Sequence, residues 1–396
     1  MIDVQEAKRR VMANVPVMPA EVVPLIDALG RFAAHDVVAH FDHPLFDCSA
    51  MDGYAFAYSE DVKQWTVIGA VAAGEAFPRS LNSGECVRIF TGAMLPQGAD
   101  TVVMQELTRR DGDVMSHSDV KLKRGGNVRC KGEQLRAGDT ALPKGTSLDA
   151  SAIGLLASVG LHEVQVAKKP RVALLISGDE FAEDATPLPG KIFGSNGVML
   201  QAALRDVRIE AGILQVSDDR DALIATWKQV VQGHDLIIST GGVSVGDHDL
   251  VLPTLEALEA EIMLHGVKQK PGKPMLFAEL NDTPVFGLPG NPRAVMVLFW
   301  EYVLPFLRAM QGALEPGPRT GHLPIEHGSK IKGDRTEFRA ALVMDGKVKL
   351  LADEGSHMLR SLIEANALAF IPANVRELNA GDMIEVHYIQ WWEANT

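Results

Sequence analysis

Read for the spacing of its apolar residues, the chain changes character at Arg171. Beyond it, short and wholly apolar runs alternate with stretches in which apolar residues return every three or four positions. This pattern predicts a strand over 171–176, a helix over 196–207 and a strand over 212–216. A helix over 219–231 follows, with Leu223, Trp227 and Val230 on one face, and then a strand over 235–239. Repeated βαβ units of this kind predict a parallel sheet with right-handed crossovers and helices on both faces. Ligands of such sheets bind beyond the carboxyl ends of the strands. Two more strands are expected near 274–277 and 285–288, then a long helix that Asn291 caps and Pro292 opens. A boundary rich in Pro and Gly falls at 315–318.

Before Arg171 the chain is Gly-rich and reads as short strands at 65–69, 87–90, 101–105 and 114–117. One helix is expected near 4–13 and another over 150–159, with Asp149 as its cap and Gly160 as its stop. From 322 onward the expected strands are 337–343, 347–351, 368–371 and 383–388. The fold class is therefore multi-domain α/β plus β: a doubly wound α/β domain, β-rich N-terminal domains and a small C-terminal β domain. The expected division is a helical and extended linking domain over 1–45 and 141–169, and a β-rich domain over 46–140. The α/β domain then spans 170–316 and the C-terminal β domain 317–396.

Composition narrows the class. With 396 residues, 46% of them hydrophobic and 22% charged, the chain is long enough for several globular domains. The most apolar stretch, 294–307, is broken by Glu301 and Pro305 and is too short for a membrane span. Residues 1–12 carry Asp3, Glu6, Lys8, Arg9 and Arg10 and do not read as a secretory signal. Cys48, Cys86 and Cys130 form neither a CxxC pair nor an even set, which suits a reducing cytoplasm and argues against cysteine-bound metal. His35, His40 and His43 lack zinc spacing. A net charge of −13 argues against nucleic acid and anionic membrane as partners, so an anionic substrate would need a local cationic pocket.

Five segments supply candidate chemistry. Ile176-Ser177-Gly178-Asp179-Glu180 places two acids after a buried strand, where they either meet a cation or sit in a solvated turn. Ser239-Thr240-Gly241-Gly242-Val243-Ser244-Val245-Gly246-Asp247-His248-Asp249 combines paired glycines, a hydroxyl and acids. Backbone N–H groups freed by such glycines can hold an anion, and the acids beside them suit a divalent cation such as Mg²⁺; a plain Gly-rich turn is the alternative. Lys270-Pro271-Gly272-Lys273-Pro274 and Gly287-Leu288-Pro289-Gly290-Asn291-Pro292 freeze loop geometry, with Lys270 and Lys273 as local positive charge or as ordinary surface lysines. In the first half, Ser49-Ala50-Met51-Asp52-Gly53-Tyr54-Ala55 is dense in the same way, although Asp52 before a glycine also suits a simple turn.

Together and in this order, these segments resemble the MoeA family, which includes the E domain of gephyrin. The resemblance spans nearly the whole chain, through 49–55, 88–96, 98–100, 126–133, 177–180, 239–249, 270–274, 287–292 and 355–359. It implies four domains, with a MogA-like α/β domain among them, and an elongated homodimer. It also implies Mg²⁺-dependent cleavage of adenylylated molybdopterin, with molybdate delivered to the dithiolene and AMP released. A MogA-type adenylyltransferase is the implied further partner. The family's functional positions fall on Asp52, Thr91, Glu180, Asp218, Asp249, Pro289 and Pro292. Glu180 and Asp249 are then expected to hold the cation, and Asp52 and Thr91 to act from the opposite side of the cleft. Ser177, Gly178, Gly241, Gly242, Ser244, Lys270, Lys273, Pro289, Asn291 and Pro292 are expected to hold substrate. One departure is Gln134, where the family usually has an acid; Gly266 also stands near a place where some members carry a base. The alternative to the enzyme is a weakened pterin-binding or scaffolding relative, and a generic nucleotide hydrolase is a third reading.

Overall fold

The computed structural model describes residues 1–178, 181, 189–217, 219–243, 249–352 and 355–389. Helix α1 (Val4–Met12) is capped by Asp3, whose carboxylate accepts the Glu6 N–H at 2.9 Å. Its Val4, Ala7 and Val11, at helical spacing, pack into the same core as Leu264, Phe306 and Phe338, so this face of the 1–45 segment lies on the α/β unit. Strand β1 (Ala20–Pro24) follows.

The next sheet contains β2 (Gly53–Phe56), β3 (Trp65–Val71), β4 (Glu85–Ile89), β5 (Thr101–Met104), β6 (Thr108–Asp111) and β7 (Val114–His117). Their order is β5-β2-β4-β3-β7-β6, with β3 and β4 parallel and the other pairs antiparallel. Both faces are buried, because alternate residues serve different cores: Tyr54 and Phe56 join Trp65 and Met115, while Ala55 joins Val87, Ile89 and Val102. Helix α2 (Ala150–Ser158) starts where Asp149 accepts the Ala152 N–H at 2.8 Å and ends before Gly160, whose φ is 83°. It packs with Leu25, Leu148 and Val164 above β8 (Glu163–Ala167), which pairs antiparallel with β1.

The α/β unit runs β9 (Val172–Ser177), α3 (Asn196–Asp206), β10 (Ala211–Val216), α4 (Arg220–Val230), β11 (Leu236–Thr240), α5 (Val251–Ala257) and β12 (Glu261–His265). It continues through β13 (Gln269–Lys270), β14 (Leu276–Leu280), β15 (Thr283–Leu288) and α6 (Pro292–Leu298), then a π turn at Phe299–Val303 and α7 (Leu304–Met310). The sheet order is β10-β9-β11-β15-β14-β12. Leu174, Leu236 and Ile238 face α3, α6 and α7, while their neighbours Ala173, Leu175 and Ile237 face α4 and α5. The parallel pairing expected of the βαβ units holds for β10, β9, β11 and β15, while β14 and β12 run antiparallel to their neighbours. The physical cause is local: Asn281 and Asp282 take φ of 48° and 61°, the left-handed pair of a two-residue hairpin, and a tight hairpin forces β14 and β15 to be antiparallel.

The C-terminal sheet contains β16 (Thr320–Pro324), β17 (Thr336–Met344), β18 (Lys347–Leu350), β19 (Ala367–Ile371) and β20 (Met383–Tyr388). Its order is β13-β17-β19-β20-β16, with β18 on the far end of β17. Strand β13 therefore belongs to this sheet although it leaves the chain inside the α/β unit, pairing Gln269 with Thr336 and Lys270 with Glu337. A second tie is buried. The Glu301 carboxylate on the π turn accepts from Lys8 Nζ at 2.5 Å and meets His387 Nδ1 at 2.7 Å, while His387 Nε2 lies 3.1 Å from Glu385. Among the described residues no helix is long and apolar enough to cross a membrane.

Candidate active site

In a doubly wound sheet the crevice opens where adjacent strands send their helices to opposite faces. Here that point lies between β9 and β11, because α3 leaves β9 toward β10 while the chain leaving β11 passes through α5 on the other face. Ser177 ends β9, and Gly241 and Gly242 follow β11. Gly241 has a φ of 93°, and a Cβ there would stand 2.6 Å from the Ser177 carbonyl oxygen, so only glycine lets these two strand ends approach. The Ser177 Oγ beside it is buried and has no hydrogen-bond partner among the described residues. Gly178 continues the chain with a φ of 140° and is buried. Asp249 and Leu250 lead into α5, and the Val251 N–H donates to the Gly242 carbonyl at 3.1 Å.

The loop from β15 to α6 is fastened to this point. Thr240 Oγ1 donates to the Pro289 carbonyl at 3.0 Å, and the Gly241 N–H donates to that of Leu288 at 3.1 Å. Asn196, the first residue of α3, donates from Nδ2 to Thr240 Oγ1 at 3.0 Å and to the Gly290 carbonyl at 2.9 Å. Asn291 occupies the cap position of α6 and Pro292 its first turn, but the Asn291 side chain makes no capping hydrogen bond. That corrects the expected capping role: the Asn291 backbone carbonyl accepts the Val295 N–H at 3.1 Å, and its exposed amide is left to solvent or ligand.

The lysines divide. Lys270 lies in β13, with Nζ 3.6 Å from the buried Glu337, which also meets Arg339 at 2.7 Å, so part of its charge is spent within the C-terminal sheet. Lys273 is exposed and makes no ion pair among the described residues.

Asp52 and Thr91 come together elsewhere, at the end of the N-terminal sheet. Asp52 Oδ1 accepts both the Thr91 N–H and the Thr91 hydroxyl, each at 2.8 Å. These two donors, with Arg88 nearby, hold the Asp52 carboxyl below its usual range. Arg88 is itself fixed: it donates to the Gly53 carbonyl at 2.7 Å and to Gln105, and lies over the Tyr54 and Phe90 rings. None of the hydrogen bonds of Asp52 or Thr91 reaches the α/β crevice, and exposed Met51 and Phe90 flank the pair. Gln134 is also exposed, with its N–H on the His43 carbonyl at 3.0 Å.

Glu180, Asp218 and Ser244 lie outside the described residues. Sequence reasoning missed Asn196 and Thr240 as members of the site. Asn196 reads as an ordinary helix start, and the signal that could have marked it is a polar residue just before an apolar helical face at a strand's carboxyl end.

Residues 2–160 match the MoeA N-terminal region (domains I and II), residues 173–309 a probable molybdopterin binding domain, and residues 328–389 the MoeA C-terminal region (domain IV). A molybdopterin molybdenumtransferase of Staphylococcus aureus is 33% identical, over 97% of this chain and 95% of its own. Its namesake from Staphylococcus epidermidis is 32% identical over the same shares. Two crystal structures of molybdopterin biosynthesis MoeA proteins from Pyrococcus horikoshii superpose with TM-scores of 0.80 and 0.85 at 30% and 27% identity. They cover 99% and 98% of this chain and 100% of their own.

Proposed function

Because this chain belongs to the MoeA family, we propose that it is a molybdopterin molybdenumtransferase that inserts molybdate into adenylylated molybdopterin and releases AMP, with Mg²⁺ as cofactor. The observation that carries this reading is the crevice at the β9–β11 switch point, where an unpartnered buried hydroxyl, two left-handed glycines and the Pro289–Pro292 loop converge. Phosphoanhydride cleavage asks a protein mainly for positioning and charge neutralisation, which a site of fixed backbone donors supplies.

A hard cation takes oxygen donors and keeps several waters. The crevice fits that chemistry: Ser177 Oγ is a buried oxygen without a partner among the described residues, and Asp249 stands at the entrance to α5. Such a cation would be shared with substrate phosphates and water. Asp249 and Glu180 would hold it, and Mg²⁺ when bound neutralises phosphate charge. Gly241 and Gly242 let the ligand approach the backbone, Ser177 and Ser244 donate hydroxyls, and Lys273, helped by Lys270, attracts the anion.

Asp52, held ionised by Thr91, orients a donor on the substrate rather than supplying a proton. Since its bonds stay within the N-terminal sheet, we place it opposite the crevice of a twin chain in a homodimer, with Asp218 as a further functional position. The domain division at 45, 140, 169 and 316, a cytoplasmic location and supply of substrate by a MogA-type adenylyltransferase belong to the same proposal.

The test is incubation of the purified protein with adenylylated molybdopterin, Mg²⁺ and molybdate. The transferase releases AMP only when molybdate is present. Binding without AMP release refutes the enzyme in favour of the scaffold, whereas AMP release from ordinary dinucleotides without molybdate points to a hydrolase.

A further inference from the structure

Asn196 is 8% exposed, and its side-chain amide is committed to the loop between β15 and α6. Through Nδ2 it holds the Gly290 carbonyl at 2.9 Å, and through Thr240 Oγ1 it braces the hydroxyl that holds the Pro289 carbonyl at 3.0 Å. Two successive carbonyls are thus drawn toward the sheet. A trans peptide is planar, with its C=O and the following N–H pointing opposite ways. Turning the Pro289 and Gly290 oxygens inward therefore turns the Gly290 and Asn291 N–H groups outward, where both residues are exposed. Neither N–H has an acceptor among the described residues. The next residue, Pro292, has none to give, and the Arg293 N–H is taken by the Ser356 carbonyl at 3.2 Å. Successive outward N–H groups form a concavity for an anion.

A separate observation points to a ligand here. Ser177 Oγ, 7% exposed, lacks a partner beside Gly241 and Gly242, the residues that follow Thr240. A buried hydroxyl left open next to outward amides is an arrangement that a ligand oxygen completes.

We infer that Asn196 is a positioning residue: it turns the Pro289–Gly290 backbone so that the Gly290 and Asn291 N–H groups clamp a phosphate oxygen of the substrate. It does so without touching the reacting atoms. The inference rests on the proposed transferase reading for the identity of the anion, but the geometry of the clamp is independent of it.

The test compares Asn196→Asp, which keeps the shape but replaces the donating amide by an acceptor, with Thr240→Val and Thr240→Ser. In the wild type, calorimetry should show AMP and inorganic pyrophosphate binding, with AMP bound more tightly than adenosine. Asn196→Asp should lose roughly tenfold or more in pyrophosphate affinity, in the AMP-over-adenosine increment and in KM, because charge-assisted donors are misdirected. Adenosine affinity should stay near wild type even though the buried carboxylate lowers Tm. Thr240→Ser should restore what Thr240→Val loses, since it keeps the hydroxyl donor.

Equal losses for AMP and adenosine would reduce Asn196 to a structural part and overturn the inference. So would unchanged pyrophosphate affinity in Asn196→Asp, or a wild type that binds no pyrophosphate. If the wild type binds pyrophosphate through Asn196 yet releases no AMP with molybdate, the clamp stands and the transferase reading falls.

Discussion

Replacing Glu301 by Gln removes one charge from the buried group that ties α1, the π turn and β20 together. The Glu301 side chain is fully buried, its Lys8 partner is 24% exposed and its His387 partner 5%. Removing one member of a buried pair commonly costs about 3–5 kcal/mol, because the other charge is left without compensation. Lys8 has partial relief: its side chain is partly exposed, and Nζ lies 5.8 Å from the Tyr302 ring centre and 5.6 Å from that of Phe338. The lower end, about 3 kcal/mol, is therefore expected, or a Tm lowered by about 6–12 °C if the α/β unit unfolds as one body.

The pH dependence carries the sign. Burial pushes the Glu301 carboxyl up, but the His387 hydrogen bond and the Lys8 charge outweigh it, and the net direction is below the usual 4.5. A depressed carboxyl contributes stability that is complete above 4.5 and is lost as pH falls through the folded value. The gap in stability between wild type and Glu301→Gln should thus be constant near neutrality and close on acidification. Urea unfolding followed by the fluorescence of the neighbouring Trp300, repeated from pH 7 to pH 3, measures both quantities. A loss below about 1 kcal/mol, or a gap that widens in acid, would refute the reasoning.

Three further outcomes are expected. Asp52→Asn should lower turnover by about 10²-fold with normal folding, and the wild-type rate should show no acid limb near the usual carboxyl range, since Thr91 holds Asp52 ionised below it; stopped-time AMP assays across pH check both. Gly241→Ala should lower Tm and abolish AMP binding, because its Cβ would meet the Ser177 carbonyl at 2.6 Å at a φ of 93°, and strain of this kind costs roughly 1–3 kcal/mol. A mixed dimer of one Asp52→Ala chain and one Glu180→Ala chain, isolated with two tags, should recover about half of wild-type activity, since one of its two clefts is intact. A mixed dimer as inactive as either parent would place both acids in one chain's site or in none.

Many helices and buried strands were legible because their signals are local. Asp149 and Gly160 bracket α2, and Asp219 caps α4 by accepting the Ala222 N–H. The buried strands β9 and β11 read directly from their apolar runs. The Asn281-Asp282 hairpin is not legible in the sequence, because its left-handed pair lacks the glycine that usually marks such a turn, and with it the antiparallel edge of the sheet is hidden. The roles of Asn196 and of Lys270 were hidden for another reason. A side chain at a helix start can face outward as a cap or inward as a brace, and Lys270 meets Glu337 only because β13 leaves the α/β unit to pair with a strand of the C-terminal sheet. The resemblance supplied positions such as Asp218, for which the local pattern has no signal.

Strand β13 makes the C-terminal sheet a shared possession. A fragment ending near residue 316 would keep Gln269 and Lys270 but deprive them of Thr336 and Glu337. The complementary fragment would carry β17 with its first residues unpaired at a bare edge. Bare edges recruit other strands, so separate expression of the two pieces should yield sticky products, and mixing them should be more productive than either alone. The same two-residue splice makes the Lys270–Lys273 loop a tether: any swing of the C-terminal sheet pulls on the turn that carries these lysines.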